Sequence, residues 1–266
     1  MKLNHRFPWL WALILAFMVT QSYPQTPTIT DPKFIEDCVN IHNEMRSKIR
    51  LAAGNMRYMT WDPALAKTAR AWVKKCVFQH NIHIGHKYQC HPVFKTVGEN
   101  MWMGTYTKHV PRNATTEWFS EVDHYELGFR KCYRRYCGHF TQVAWAASYK
   151  IGCALKMCPN LGKHIAMFVC NYSPAGNIVG EAPYTKAYYC ALCEEGDTCE
   201  NNLCRNPLRD KVESYPYWNP RWEVPRRMTC NPFCQMCVSV RLVLLALAIP
   251  GILLLQKKYP NMHLMT

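Results

Sequence analysis

Acidic side chains are scarce in this chain: 18 Asp and Glu stand against 32 Lys and Arg in 266 residues, a formal net charge of +14. That imbalance favours acidic partners such as anionic headgroups or glycosaminoglycans. The basic residues are nevertheless scattered along the sequence rather than gathered in blocks. A GxSxG elbow is absent and so is HExxH, so neither a serine hydrolase of the elbow type nor a zincin protease is indicated. Internal repeats are absent as well. Disorder is excluded by what is present, an apolar fraction of 49% with 13% aromatic residues.

Cysteine is abundant, at 15 residues. That number fits an oxidising compartment, where thiols become disulfides. The N-terminus agrees. Lys2, His5 and Arg6 precede an apolar run, Trp9 to Val19, that is too short to span a bilayer, and Thr20 and Ser22 offer a cleavage site. Residues 1–22 therefore read as a signal peptide. Near the other end, 238–256 reads as a single transmembrane helix with Pro250 inside it, closed by Lys257 and Lys258. A glycolipid-anchor signal should end in its apolar stretch, whereas here a polar tail, 257–266, follows. The expected arrangement is a domain outside, one span and a short cytoplasmic tail at the cell surface, with no nucleic-acid partner.

Between these landmarks, Asp31-Pro32 and Asp62-Pro63 each read as a helix cap followed by its first residue. Phe34, Ile35, Cys38, Ile41, Met45 and Ile49 recur at helical spacing after the first, and Leu65, Ala66, Ala69, Trp72, Val73 and Cys76 after the second. A third helix is expected over 113–124, with Trp118 and Val122 inward. The segments 138–145, 151–158 and 165–172 are short and apolar and read as strands. Helices first and strands later predict an α+β layered domain. Residues 179–206 are rich in Gly, Pro and Cys and read as a disulfide-held hinge, and 207–237 as a Pro- and Trp-rich stalk. Asn113-Ala-Thr is a glycosylation sequon expected to be exposed and used. Asn171-Tyr-Ser is formally a second, expected to be unused.

GHFTQVAWAAS at 138–148 and FVCNYSPAGNI at 168–178 resemble the two signatures of the CAP superfamily, the cysteine-rich secretory, antigen 5 and pathogenesis-related proteins. WDPALAKTARAW (61–72), CVFQH (76–80), GENMW (98–102) and EWFSEV (117–122) match the other blocks of that family in order. The resemblance covers about residues 33–205 and is strongest to the glioma pathogenesis-related 1-like group. It implies a three-layer α-β-α sandwich over 23–178, with an open cleft holding His80, Glu99, Glu121 and His139. Two imidazoles and two carboxylates facing one cleft could hold a divalent cation such as zinc, with His80 and His139 as ligands. The carboxylates could equally orient the histidines from behind. No cofactor is required and no catalytic residue is assigned. His83, His86 and His91 form a further local His-rich stretch, which reads as a solvated loop.

The same resemblance implies the disulfides Cys76–Cys158, Cys153–Cys170, Cys132–Cys137, Cys190–Cys199 and Cys193–Cys204. Ser173 stands where many relatives carry a cysteine, which frees Cys90 and makes Cys38 its expected partner. Cys230, Cys234 and Cys237 are left over, for palmitoylation or intermolecular bonds. A membrane-anchored, non-enzymatic module of cell-surface interaction is the expected function, on sperm if the tissue habit of the group carries over, with an unknown surface protein or lipid as partner. A metal-dependent hydrolase using the tetrad and a sterol or lipid carrier are the alternatives.

Overall fold

The computed structural model describes residues 26–49, 52–133, 136–223 and 232–259. The expected signal peptide, Cys230 and most of the expected tail lie outside them. Two helices begin where the sequence places them. Helix α1 (Pro32–Ser47) is capped by Asp31, whose carboxylate accepts the N–H groups of Lys33 and Phe34. Asp62 does the same for Ala64 and Leu65 at the start of α2 (Pro63–Val73). In both, proline occupies the first turn, where its missing N–H costs nothing.

Four strands form the central sheet: β1 (Thr60–Trp61), β2 (Gly98–Thr105), β5 (Lys150–Met157) and β6 (Ile165–Ser173), in the order β1-β5-β6-β2. The β2, β5 and β6 strands are antiparallel, and β1 is parallel to β5. Alternation along β5 separates the two faces. Ile151, Cys153 and Leu155 join Phe34 and Cys38 of α1 and Ala114 and Trp118 of α3 (Val110–Ser120) in one core cluster. Ala154 joins Ala69, Trp72 and Val73 of α2 in another. Gly152 lies beneath α2, where a Cβ would fall 2.1 Å from the Ala66 nitrogen, so only glycine lets helix and strand approach this closely. The result is an α+β domain with helices on both faces of a sheet.

Two expected elements differ. Helix α3 begins at Val110 rather than at 113 and ends at Ser120, and Glu121–His124 continue it as a 3-10 turn with Val122 only half-buried. Asn113 is exposed in its first turn, whereas Asn171 is buried in β6. The second difference is GHFTQV, expected as a strand, which is the short helix α4 (Gly138–Val143). The Glu121 carboxylate explains it: it accepts the backbone N–H groups of His139 and Phe140 and so caps a helical turn that apolar patterning alone cannot signal.

Five disulfides are formed, Cys76–Cys158, Cys132–Cys137, Cys153–Cys170, Cys190–Cys199 and Cys193–Cys204. Cys132 ends β4 (Lys131–Cys132), which pairs with β3 (Tyr125–Glu126). In the hinge, β7 (Thr198–Glu200) pairs with β8 (Leu203–Arg205). The expected Cys38–Cys90 bond is not formed, and both are buried free thiols. Cys38 packs with α1 on one face of the sheet, while the Cys90 carbonyl accepts the Thr68 hydroxyl of α2 on the other. The sheet stands between them. Burial pushes the Cys38 thiol well above its usual pKa and the Cys90 thiol up to about 12, which leaves both unreactive near neutrality.

Residues 224–266 form a separate unit whose described part is helix α5 (Pro232–Lys258). Within it, Gln235–Leu255 has a mean hydropathy of 2.5 and is long and apolar enough to cross a membrane by length and composition.

Candidate functional site

The four expected cleft residues arrive from different elements and form two histidine–carboxylate pairs. Glu99 is the second residue of β2, the strand at one edge of the sheet. Its side chain is fully buried, and one oxygen accepts both the His80 ring, at Nδ1 (2.9 Å), and the Asn81 backbone N–H (2.9 Å). Asn171, opposite Glu99 in the β2–β6 register, reaches the other oxygen with its amide at 3.4 Å. Glu121, at the turn after α3, accepts His139 Nδ1 at 2.7 Å.

Because each partner is a carboxylate, each Nδ1 is the proton donor, and the second ring nitrogen is left as the free one. Neither Nε2 makes a hydrogen bond within the protein among the described residues. The His80 side chain is 54% exposed and that of His139 26%. The hydrogen bond that His80 donates to Glu99 holds the imidazole above its ordinary pKa, against the opposing effect of burial.

Neighbouring side chains fix the second pair. Trp118 lies nearly parallel to the His139 ring (centroids 6.2 Å apart, 17° between planes), and Tyr136 meets it edge-on at 5.3 Å. Asn100, next to Glu99 in β2, donates to the His139 carbonyl at 3.0 Å. Adjacent residues of one strand therefore hold both histidines, Glu99 the first and Asn100 the second. Apart from the Cys190, Cys193 and Cys204 sulfurs, no three His, Cys, Asp or Glu ligand atoms come together among the described residues. Those sulfurs are committed to disulfides. Any metal in the cleft would have imidazole nitrogens as its protein ligands, with carboxylates behind them.

Of the other histidines, His83 is half-buried and His86 exposed, but His91 is not solvated. It is fully buried, with Nε2 at 3.2 Å from both oxygens of the α2 cap Asp62, while Nδ1 accepts the N–H groups of Val93 and Phe94. Its ring holds a turn together and is closed to a metal. Two buried polar residues of α1, His42 and Arg46, also organise the core without matching any motif in the sequence. His42 donates to the Cys38 carbonyl and meets the Tyr172 hydroxyl at 2.9 Å. Arg46 donates to the carbonyls of Arg57, Val143, Trp145, Ala146 and Ser148. Their signal was available: 38, 42 and 46 run down one helical stripe, and 38 is apolar.

The profile of the CAP family, the cysteine-rich secretory protein family, matches residues 39–172. GLIPR1-like protein 1 of Bos taurus is 47% identical over 239 residues, covering 90% of this chain and 98% of the relative. Its Homo sapiens counterpart is 43% identical over 234 residues, covering 88% and 96%. Among solved structures, NaASP2 with Zn2+ is 27% identical with a TM-score of 0.54, covering 65% of this chain and 96% of that one. Na-ASP-1 is 25% identical with a TM-score of 0.56, over 70% of this chain and 50% of the other.

Proposed function

The chain belongs to the cysteine-rich secretory protein (CAP) family, and from that premise we propose that it is a non-enzymatic, membrane-anchored extracellular module whose cleft holds a divalent metal, zinc, through His80 and His139. One observation carries the metal reading. Each histidine gives its Nδ1–H to a glutamate, which fixes the tautomer and leaves Nε2 as the lone-pair donor, the arrangement in which carboxylates orient metal-binding imidazoles. The chemistry of the donor set suits the ion. Glu99 and Glu121 are already engaged by backbone N–H groups and histidine, so they orient rather than ligate. Two imidazoles leave positions for water or for a group presented by a partner, and there the ion would supply a Lewis acid. A relative solved with zinc, NaASP2, supports the choice of metal.

Helix α5 supports a single span, and the abundant disulfides support an oxidising exterior for the domain. The function is then recognition of a surface protein or lipid. The test is zinc content and affinity of the full chain in detergent, beside a His80→Ala/His139→Ala double variant. Stoichiometric zinc lost in the variant is the expected result. Equal zinc in both, or none in either, would remove the cleft as a metal site. Hydrolytic activity that depends on His139 would overturn the non-enzymatic reading.

A further inference from the structure

Residues 207–223, expected as part of a stalk, pack along the domain instead. Lys150 donates to the Lys211 carbonyl at 2.6 Å. Lys67 of α2 donates to the carbonyls of Tyr215 and Trp218, both at 2.7 Å. The Tyr215 and Trp218 rings lie against buried His91, at 5.2 and 6.2 Å. Glu223 ends the segment between two basic residues of α2, Lys74 at 2.7 Å and Arg70 at 3.5 Å.

Trp222 is the centre of this strap. Its indole stacks on His83 (4.8 Å, 8° between planes), meets Trp72 edge-on and takes the Lys75 ammonium over its face at 5.5 Å. Its N–H donates to the Gln89 carbonyl at 2.9 Å. With Ile84 it also packs on the small buried cluster of Leu65, Cys90 and Val97. His83, Ile84, Gln89 and Cys90 all belong to the irregular connection between α2 and β2, residues 74–97, and the stretch of it that they occupy follows directly on His80.

The chain from His80 to His91 has no helix or strand of its own. At its beginning it is held by Glu99, through the His80 ring and the Asn81 N–H. Asn81 also points its amide at the Cys90 sulfur, 3.7 Å away, so the two ends of the loop touch. Its outer side is covered by Trp222. A loop without regular structure keeps one conformation only where such contacts offset its entropy.

We propose that Trp222 is a positioning residue for the cleft, a clamp that holds the His80–His91 loop so that His80 stays seated on Glu99. The clamp rests on the metal reading only for its consequence: zinc affinity of the cleft depends on a residue that follows the hinge. A domain cut after residue 205 retains all four cleft residues and loses the clamp.

The test uses the full chain in detergent micelles, with Trp222→Ala, Trp222→Phe and wild type compared by amide hydrogen exchange and by zinc titration. The Asn81 amide reports the first histidine–carboxylate pair, and the Phe140 amide, which donates to Glu121 at 3.1 Å, reports the second. Trp222→Ala is expected to raise Asn81 exchange at least tenfold, with Phe140 and the amides of β5 and β6 unchanged. Zinc affinity should fall about tenfold, the low end of what loss of an orienting contact costs. Trp222→Phe, which keeps an aromatic face but cannot donate to Gln89, should recover most of both.

Unchanged Asn81 exchange would overturn the clamp, and so would a parallel rise at Phe140, which would signify general loosening. If wild type takes up no zinc, the metal reading falls and the exchange comparison alone decides the clamp. If wild type binds zinc and Trp222→Ala binds it equally well, the coupling is wrong. Should Trp222→Ala fail to fold, Glu223→Gln frees the strap end from Arg70 and Lys74 without removing volume, and the same readings apply.

Discussion

Glu121 grips His139 twice, at ring Nδ1 (2.7 Å) and at the backbone N–H (2.9 Å), and takes the Phe140 N–H as well. One carboxylate thus caps helix α4 and sets the direction of the ring that α4 carries. Glu121→Gln keeps the size but replaces a charged acceptor of three bonds with an amide that has one accepting oxygen. Stability should fall by about 1–2 kcal/mol, the usual cost of losing a cap or a charge-assisted bond. Zinc affinity should fall by about 10- to 100-fold. Chemical denaturation and a competitive zinc titration check the two effects, and unchanged affinity would show that Glu121 does not orient the ligand.

His80 is the group through which pH should act on the cleft. The hydrogen bond it donates to the Glu99 carboxylate raises its pKa above 6.5. The imidazolium–carboxylate pair therefore adds stability that is fully present below about pH 6.5 and is lost as pH rises through the raised folded value. Zinc requires the neutral ring, so its affinity should weaken as pH falls through that same value, above the usual histidine midpoint. Titrations at pH 8, 7 and 6 should show this fall, and it should flatten in Glu99→Gln, where the raising partner is gone.

His42 should act with the opposite sign. Burial, aided by the positive charge of Arg46, pushes its pKa down to about 3. The folded state holds it neutral while the unfolded chain takes up a proton near pH 6.5, so its contribution is complete above that value and is lost on acidification towards pH 3. The expected loss from this group is about 2 kcal/mol between pH 7 and pH 5, from a slope of about 1.4 kcal/mol per pH unit. Denaturation midpoints of wild type and His42→Gln at the two pH values measure it, and equal pH dependence in both would refute it.

Arg46 gathers five carbonyls from two separate segments, 57 and 143–148, onto one buried guanidinium. Burial lowers its pKa to about 9, still above neutrality, so the group donates as a cation. Arg46→Met takes the guanidinium donor from all five carbonyls, of which Trp145 and Ala146 keep a backbone N–H, and should cost about 3–5 kcal/mol. Arg46→Lys should recover only part, because an ammonium has three donors and no planar fork. Urea denaturation of the three proteins checks the order.

Local chemistry determined a good deal of this protein. Asp31-Pro32 and Asp62-Pro63 mark their helices because cap and first turn are made by adjacent residues. The β5 and β6 segments declare themselves by composition, and α5 by its apolar length. The family blocks of the sequence group His80, Glu99, Glu121 and His139, although not their pairing.

Tertiary structure decided the rest, wherever the partner lies far along the chain. GHFTQV is a helix because Glu121, some eighteen residues earlier, caps it. His42 is a core residue because Tyr172 stands 130 positions away, and Arg46 because acceptors up to 102 positions away converge on it. Cys38 and Cys90 do not pair with each other because a sheet separates them, and a segment rich in Pro and Trp packs on the domain because α2 and a histidine loop supply the surface it covers. Sequence periodicity reports which face of an element is apolar; only the folded chain determines which distant group meets it, since that contact depends on where the other elements have packed.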